Sequence, residues 1–423
     1  MRITLLALLA AALAAPAHAD PLAEILAHPG RDLWDGGYDV SVSAPSRAAS
    51  PAAPNQGRNV GKVATTVPIL SQRTVRGTAA AIMDYRAIVA AGGWPVVPAT
   101  AKLRLGASGP AVAALRRRLM ISGDLSTAAG ASDQYDTWVE QAVRRFQTRH
   151  GLRADGVLGP HSLSALNVSA AVRLRQLEIN LARLQKHRAS LRDRRYVMVN
   201  IPGAEIEAVE NGRVAQRHTA VVGRISRPTP ILSSRITELN LNPYWHAPAS
   251  IVRRDIIPLM RKDPGYLARN GIRIFTADKR ELDPRTVNWA TDEATKYHFK
   301  QDPSRRNAMR AAKINFPNKH AVYMHDTPEQ GLFDNLVRFE SSGCVRVRNI
   351  RDLLAWLAKE TPGWNRRSLQ RTIAAGERTD AKLQEPVGVH FMYFTAWSSE
   401  RGAVHFRDDV YKHDAEAAFI MGG

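Results

Sequence analysis

At Arg195 the spacing of apolar residues changes from three or four to two, and that change splits the chain into a helical part followed by a strand-rich part. Before it, Leu174, Leu177, Leu181 and Leu184 recur at 3-4-3 spacing, one face of a helix over about Ala170–Arg188 whose other faces carry Arg and Lys. Two heptads are too few for a coiled coil, so this helix is expected to pack on neighbouring domains. After it, Tyr196–Val199 and then Ile206 and Ala208 run into Asn211-Gly212. Alternation ending on Asn-Gly predicts a hairpin with a two-residue turn. Further strands are expected at His218–Val222, Arg235–Leu241, Val389–Thr395 and Gly402–Phe406. The fold class is therefore α+β, with the helices first.

The helical part has its own punctuation. Ala81, Ile82, Tyr85 and Ile88 lie at helical spacing before Gly92-Gly93, a helical scaffold over 74–102. A second unit spans 103–167. In it, Val112, Leu115 and Leu119 share one helix face after Gly109-Pro110, and Val139, Ala142, Val143 and Phe146 share another before Gly151. The polar stretch Ser126–Asp133 separates the two. The run Gly151-Leu152-Arg153-Ala154-Asp155-Gly156-Val157-Leu158-Gly159-Pro160 follows, with glycines suited to tight turns. This unit resembles the three-helix type of peptidoglycan-binding domain. A connecting helix at 168–190 leads to the strand-rich domain, 191–423.

The N-terminus reads as an export signal: Arg2, an apolar stretch Leu5–Ala15, and Ala17-His18-Ala19 before Asp20. At about eleven residues the apolar run is too short to span a bilayer. Cleavage after Ala19 makes 1–19 a signal peptide and 20–73 an N-terminal segment and flexible linker, rich in Ala, Pro, Ser and Asn. The formal charge is +20, which favours a polyanionic partner. Export makes nucleic acid an unsuitable one and favours a wall polymer bearing carboxylates and phosphates.

The 423-residue chain has one cysteine, Cys344. An exported protein with a single thiol cannot use it for an internal disulfide. It lies in Ser341-Ser342-Gly343-Cys344-Val345-Arg346, nineteen positions after His325 in Tyr323-Met324-His325-Asp326-Thr327. Alternation puts Tyr323 and His325 on one strand face and Met324 on the other. Gly343 permits a tight turn, and backbone N–H groups at Gly343 and Cys344 are candidates to receive an oxyanion. Arg346 shares the face of Cys344, where a cation either lowers the thiol pKa or holds a substrate carboxylate. Arg338 and Arg348 are weaker candidates. No metal-ligand spacing is present, and no cofactor is expected. The stretch from about 250 to 318 is too long for an ordinary loop and is expected to form a capping insertion over the site.

These residues resemble the L,D-transpeptidase (YkuD-type) catalytic domain. The resemblance makes Cys344 the nucleophile, His325 the general base, and Gly343, Ser341, Ser342 and Asp326 the oxyanion and support positions. Many members have a histidine where this chain has Ser342. The third triad member is either the backbone carbonyl or the side chain of Asp326. Arg346, Tyr323, Arg338 and Trp245 are the expected substrate contacts. Asn200-Ile201-Pro202-Gly203, Val222-Gly223-Arg224, Arg227-Pro228-Thr229-Pro230, Asn242-Pro243-Tyr244-Trp245, Asp263-Pro264-Gly265-Tyr266-Leu267 and Phe406-Arg407-Asp408-Asp409-Val410-Tyr411 look like the large periplasmic YcbB-type subgroup of Gram-negative bacteria. That likeness implies a β-rich catalytic domain of mixed sheets or a β-sandwich, with a capping subdomain. It implies 3→3 cross-linking of peptidoglycan through a cysteine thioester, with tetrapeptide stems as donors, a stem amine as acceptor, D-Ala released and carbapenems as inhibitors. L,D-carboxypeptidase or hydrolase activity on the same bond or on a wall–protein link, or a non-catalytic wall-binding protein, are the competing readings.

Overall fold

The computed structural model describes residues 65–98, 103–399 and 403–415. The expected signal peptide and most of the expected linker lie outside the described residues. Residues 65–71, the end of that linker, are docked: Val67, Ile69 and Leu70 are buried, and the Ile69 N–H donates to Glu207 Oε2 at 2.9 Å. Three aliphatic residues and a buried acceptor give this stretch a place to pack, which its Ala/Pro-rich surroundings obscured.

Helix α1 (Gln72–Ala90) starts where Ser71 accepts from the Thr74 N–H, satisfying one of the free first-turn donors. Helices α2 (Pro110–Ile121), α3 (Thr137–Arg149) and α4 (Pro160–Asn167) form the small helical unit. Its core is Val112, Leu115, Leu119, Val139, Val143, Phe146 and Leu166, all inaccessible to solvent. Asp136 caps α3, and Gly151 just beyond its end takes φ +68°, a left-handed position that favours glycine. Helix α5 (Ala170–Ser190) packs on α1 and on the C-terminal hairpin through Leu177 and Leu184, both fully buried. Truncating such a leucine to alanine costs about 2–5 kcal/mol. Among the described residues no helix is long and apolar enough to cross a membrane.

The strand-rich domain is built from β1 (Arg195–Asn200), β2 (Glu205–Glu210), β3 (Arg213–Gly223), β4 (Leu232–Leu241), β9 (Ala312–Asn315), β10 (Met324–His325), β11 (Phe339–Ser341), β12 (Val345–Val347) and β13 (Thr379–Met392). They run in the order β11-β3-β12-β10-β9-β4-β13-β1-β2, and β3 also pairs with β2. The sheet therefore closes on itself rather than stacking as two separate layers of a sandwich. The β2–β3 hairpin turns at Asn211 and Gly212, both at positive φ. Inside the closed sheet lie Val197, Ile206, Leu239, Ile314, Met324, Val345 and Val389, with helix α7 (Ile350–Leu357) supplying Leu353 and Leu354. Asn349, at the start of α7, takes a left-handed backbone and makes no side-chain cap.

The insertion is a subdomain with its own sheet and core. Strands β5 (Trp245–Ala247), β6 (Ile272–Phe275), β7 (Glu281–Leu282) and β8 (His298–Gln301) form a separate four-stranded sheet, order β5-β8-β6-β7. A helical stretch, Ala249–Ile251, Val252–Ile256 and α6 (Ile257–Lys262), packs on it with Val252, Ile256, Met260 and Phe299 at the centre. Its Val252–Ile256 turn is wound as a π-helix, a feature concentrated near functional sites. Strand β9, which fell within the expected insertion, belongs to the main sheet and pairs with β10.

Candidate active site

Strands β10 and β12 are parallel, with Met324 beside Val345 and His325 beside Arg346. Strand β9 runs antiparallel on the other side and sets Lys313 beside His325. Met324, Val345 and Ile314 are fully buried in the core. Alternation therefore turns Tyr323, His325, Cys344, Arg346 and Lys313 to the opposite face. His325 and Cys344 are diagonal neighbours on that face, a relation within reach of side chains of this size.

The turn before Cys344 is braced from within. Ser341 Oγ donates to the Cys344 carbonyl at 2.5 Å and accepts the Gly343 N–H at 3.1 Å. Gly343 takes φ +110°, which L side chains seldom adopt, so strain rather than crowding selects glycine here. One expectation changes: the Gly343 N–H is already used by Ser341. The Cys344 N–H has no acceptor among the described residues and is the remaining candidate donor for an oxyanion.

A second brace comes from the loop after β3. Thr229 Oγ1 donates to the Gly343 carbonyl at 2.9 Å and accepts the Gly223 N–H at 2.8 Å. A Cβ on Gly223 would lie 2.3 Å from the Arg227 carbonyl and 2.6 Å from the Thr229 nitrogen, so this close approach needs glycine. Arg227 donates to Ser342 Oγ at 2.8 Å and pairs with Asp255 of the capping subdomain at 2.6 Å. The cap and the nucleophile turn are thus tied through one guanidinium.

The His325 Nδ1 donates to the Asp326 carbonyl at 2.6 Å, and the Ala308 carbonyl is a second acceptor beside the ring. The orienting group is therefore the Asp326 backbone. Its carboxylate is occupied elsewhere, by the N–H groups of Thr327 and Ala311 and by Gln330. Burial, then the nearby charge of Arg346, holds the His325 imidazole neutral down to about pH 3. A neutral ring retains the lone pair a base needs.

Cys344 is half-buried. Burial pushes its thiol pKa up, while the Tyr323 backbone and hydroxyl and the charges of Lys313 and Arg346 oppose that rise. The Tyr323 hydroxyl faces the thiol and Trp245, which brings the cap edge strand to the nucleophile. Arg346 points to the same face but pairs with Glu329. Arg348 pairs with Asp334 at 2.9 Å. Arg338 is not in the site: it is buried and donates to the carbonyls of Ala220, Asn335 and Gly203. Its guanidinium is consumed in holding β3 and the chain before β11, so it is unavailable to substrate.

Beside this row lies a cavity of about 420 Å³ between the sheet and the cap, lined by Glu238, Asn240, Tyr244, His246, Lys313 and Arg378 among others. Asn240 Nδ2 donates to Glu238 at 2.6 Å and to Asp380 at 2.8 Å. Among the described residues no group of three or more His, Cys, Asp or Glu is arranged to hold a metal. Sequence reasoning missed Lys313, Arg227 and Thr229 as members of the site. Thr229 and Arg227 stood inside a recognised motif without a role, and Lys313 stood in a stretch read as irregular.

Residues 194–364 match the family described as L,D-transpeptidase catalytic domain (YkuD), and residues 108–166 match "Putative peptidoglycan binding domain". The strand-rich domain and the small helical unit thus each match a family model, in an α+β fold with the helical region first. A Haemophilus influenzae protein named "Putative L,D-transpeptidase" is 32% identical over 221 residues, 52% of this chain and 45% of that protein. An N-acetylmuramoyl-L-alanine amidase, CwlL, of Bacillus licheniformis is 39% identical over 64 residues, 15% of this chain and 18% of its own. The chain therefore spans less than half the length of these curated relatives. Among solved structures, an L,D-transpeptidase from Xylanimonas cellulosilytica (residues 123–326) is similar with a TM-score of 0.23 and 18% identity, over 70% of this chain and 99% of that one.

Proposed function

We propose that this protein is an exported L,D-transpeptidase that forms 3→3 cross-links in peptidoglycan through a thioester on Cys344. The observation that carries the reading is the shared sheet face of Cys344 and His325, beside a turn that leaves the Cys344 N–H unspent. His325 takes the thiol proton through Nε2, while the Asp326 carbonyl holds the Nδ1 proton. The sulfur attacks the carbonyl of the third residue of a tetrapeptide stem. The C–S bond forms and the bond to D-Ala breaks, and the imidazolium returns its proton to the departing amine. The Cys344 N–H stabilises the oxyanion. An amine from a neighbouring stem then attacks the thioester, loses its proton to His325, and releases the thiol. Tyr323 and Trp245 line the donor side, and Arg346 lies next to the acyl position. The helical unit holds the enzyme on the wall polymer, and the periplasm of a Gram-negative bacterium is the compartment in which such a substrate is met.

The test is incubation of the purified protein with disaccharide-tetrapeptide, with products identified by mass. A dimer lacking one D-Ala supports transfer. A tripeptide monomer alone means that water resolves the thioester and the protein is an L,D-carboxypeptidase. Unchanged substrate with intact protein overturns the acyl-transfer reading.

A further inference from the structure

The sheet face around Cys344 presents several charged groups, and nearly all are already matched. Arg346 is held by Glu329. Arg378 is held by Asp380, which also accepts from Asn240. Glu238 accepts from the same amide. His325 is neutral, its ring lying against two carbonyls. Lys313 differs. It is half-buried, and among the described residues no carboxylate lies within ion-pair distance of it. Its ammonium sits 4.6 Å from the centre of the Tyr323 ring, the same ring whose hydroxyl faces the thiol.

The register fixes this placement. Lys313 pairs with His325 across β9–β10 and with Asn240 across β9–β4. It therefore stands one strand from Tyr323 and two from Cys344, on the same face. Burying an ammonium without a counter-charge is costly, and the cost is recovered when an anion forms nearby. The groups facing it are Cys344, Tyr323 and His325 on one side and Glu238 and Asp380 on the other, with His246 and Arg378 at the cavity wall.

We propose that Lys313 is the cation that stabilises the Cys344 thiolate, acting with the Tyr323 hydroxyl in place of a charged imidazole. The proposal rests on Cys344 being the nucleophile, as in the function above, but not on which acceptor resolves the thioester. Lys313 is a positioning residue for charge: when His325 withdraws the thiol proton, the new negative charge faces an ammonium that has no ion-pair partner among the described residues. The arrangement divides the work between two residues, His325 moving the proton and Lys313 holding the charge. Burial lowers the lysine pKa and the nearby thiolate raises it, consistent with reciprocal coupling.

The experiment is the pH profile of Cys344 alkylation by iodoacetamide, an uncharged electrophile, in the full-length protein. Lys313→Met is expected to move the thiol midpoint up by about one unit, seen as roughly tenfold slower alkylation at pH 7. Lys313→Arg should restore most of the rate. Lys359→Met, which removes a cation paired with Glu210 away from this face, should change it by less than about threefold. A Lys313→Met profile superimposed on that of the unaltered protein overturns the proposal. If Lys313→Met does not fold, the unaltered protein answers by linkage: capping Cys344 with iodoacetamide removes the anion, so the Lys313 amine should titrate at lower pH. An unshifted amine also overturns it. Because alkylation needs no stem peptide, a failed cross-linking assay with a shifted profile would count against the acceptor chemistry and not against Lys313.

Discussion

The nucleophile face and the seam between the helical unit and the C-terminal hairpin both bury histidines and arginines, yet they use them differently. At the seam most charged groups are held by partners, although Arg118 Nη1, Arg173 Nε and His405 Nε2 are buried without one among the described residues. Arg149 makes a two-pronged pair with Asp124 at 2.7 and 2.5 Å and donates to the Val404 carbonyl on β15 (Val404–Phe406) at 3.0 Å. Gln176 on α5 donates to the carbonyls of Thr395 and Arg407. His150 stacks between Phe146 and Phe406, with centroids 3.8 and 5.4 Å away. At the nucleophile face Lys313 has no carboxylate partner and the Cys344 N–H no acceptor among the described residues. Matched groups at the seam make a rigid joint, while unmatched ones at the sheet face are those a reaction can use.

Substitutions should separate the two regions. The largest effect is expected from Cys344→Ala, which should abolish cross-linking and carbapenem labelling while leaving the thermal midpoint unchanged within about 2 °C. The chain has no other thiol to substitute for it. At the seam the balance reverses. Asp124→Ala leaves Arg149 buried without its carboxylate and should destabilise by about 3–5 kcal/mol, read in urea unfolding, with the thiol alkylation rate of the folded fraction unchanged.

Thr229→Val should fall between these. It removes both hydrogen bonds that join Gly223 to the Gly343 carbonyl and should cost about 1–3 kcal/mol. It should also slow acylation, because the nucleophile turn loses an external brace. A Thr229→Val protein with unaltered acylation would mean that Ser341 alone holds the turn.

Acid should expose the seam. Burial lowers the pKa of His405 to about 3, with Arg407 and Arg149 adding to the shift, and His150 is held well below its ordinary value. In the unfolded chain both take up a proton near pH 6.5. Their neutral forms therefore contribute stability above that value, and it is lost as pH falls from 6.5 towards 3. His405→Phe keeps the stack on Trp397, 5.0 Å away, and removes one of these protonations. The drop in thermal midpoint between pH 7.5 and 5 should be smaller in that variant; an equal drop would assign the acid sensitivity elsewhere.

The smallest effect is expected from Arg346→Met, since its partly exposed pair with Glu329 contributes less than about 1 kcal/mol.

What was legible in the sequence follows the same divide between local and long-range information. The change of period at Arg195, the Asn211-Gly212 hairpin, the Gly151 cap and the Tyr323/His325 alternation are encoded within a few residues of each other. So is the Ser341–Arg346 turn, where neighbouring side chains brace one another. The rest depends on strand register. Nothing near Lys313 announces that β9 joins the main sheet, because the cap separates it in sequence from its partner β4. Arg338 had the right charge and distance in sequence but is drawn under the sheet by three carbonyls. The β1–β13 and β3–β12 pairings of the closed sheet and the docked residues 65–71 likewise depend on partners far along the chain.

The central claim is that Cys344 becomes acylated by a stem peptide, and intact-protein mass spectrometry tests it most directly. After rapid acid quench with disaccharide-tetrapeptide, the protein should gain the mass of the disaccharide-tripeptide acyl group. The adduct should be absent from Cys344→Ala and sensitive to hydroxylamine, as a thioester is. An adduct of the same mass on Cys344→Ala would contradict the account.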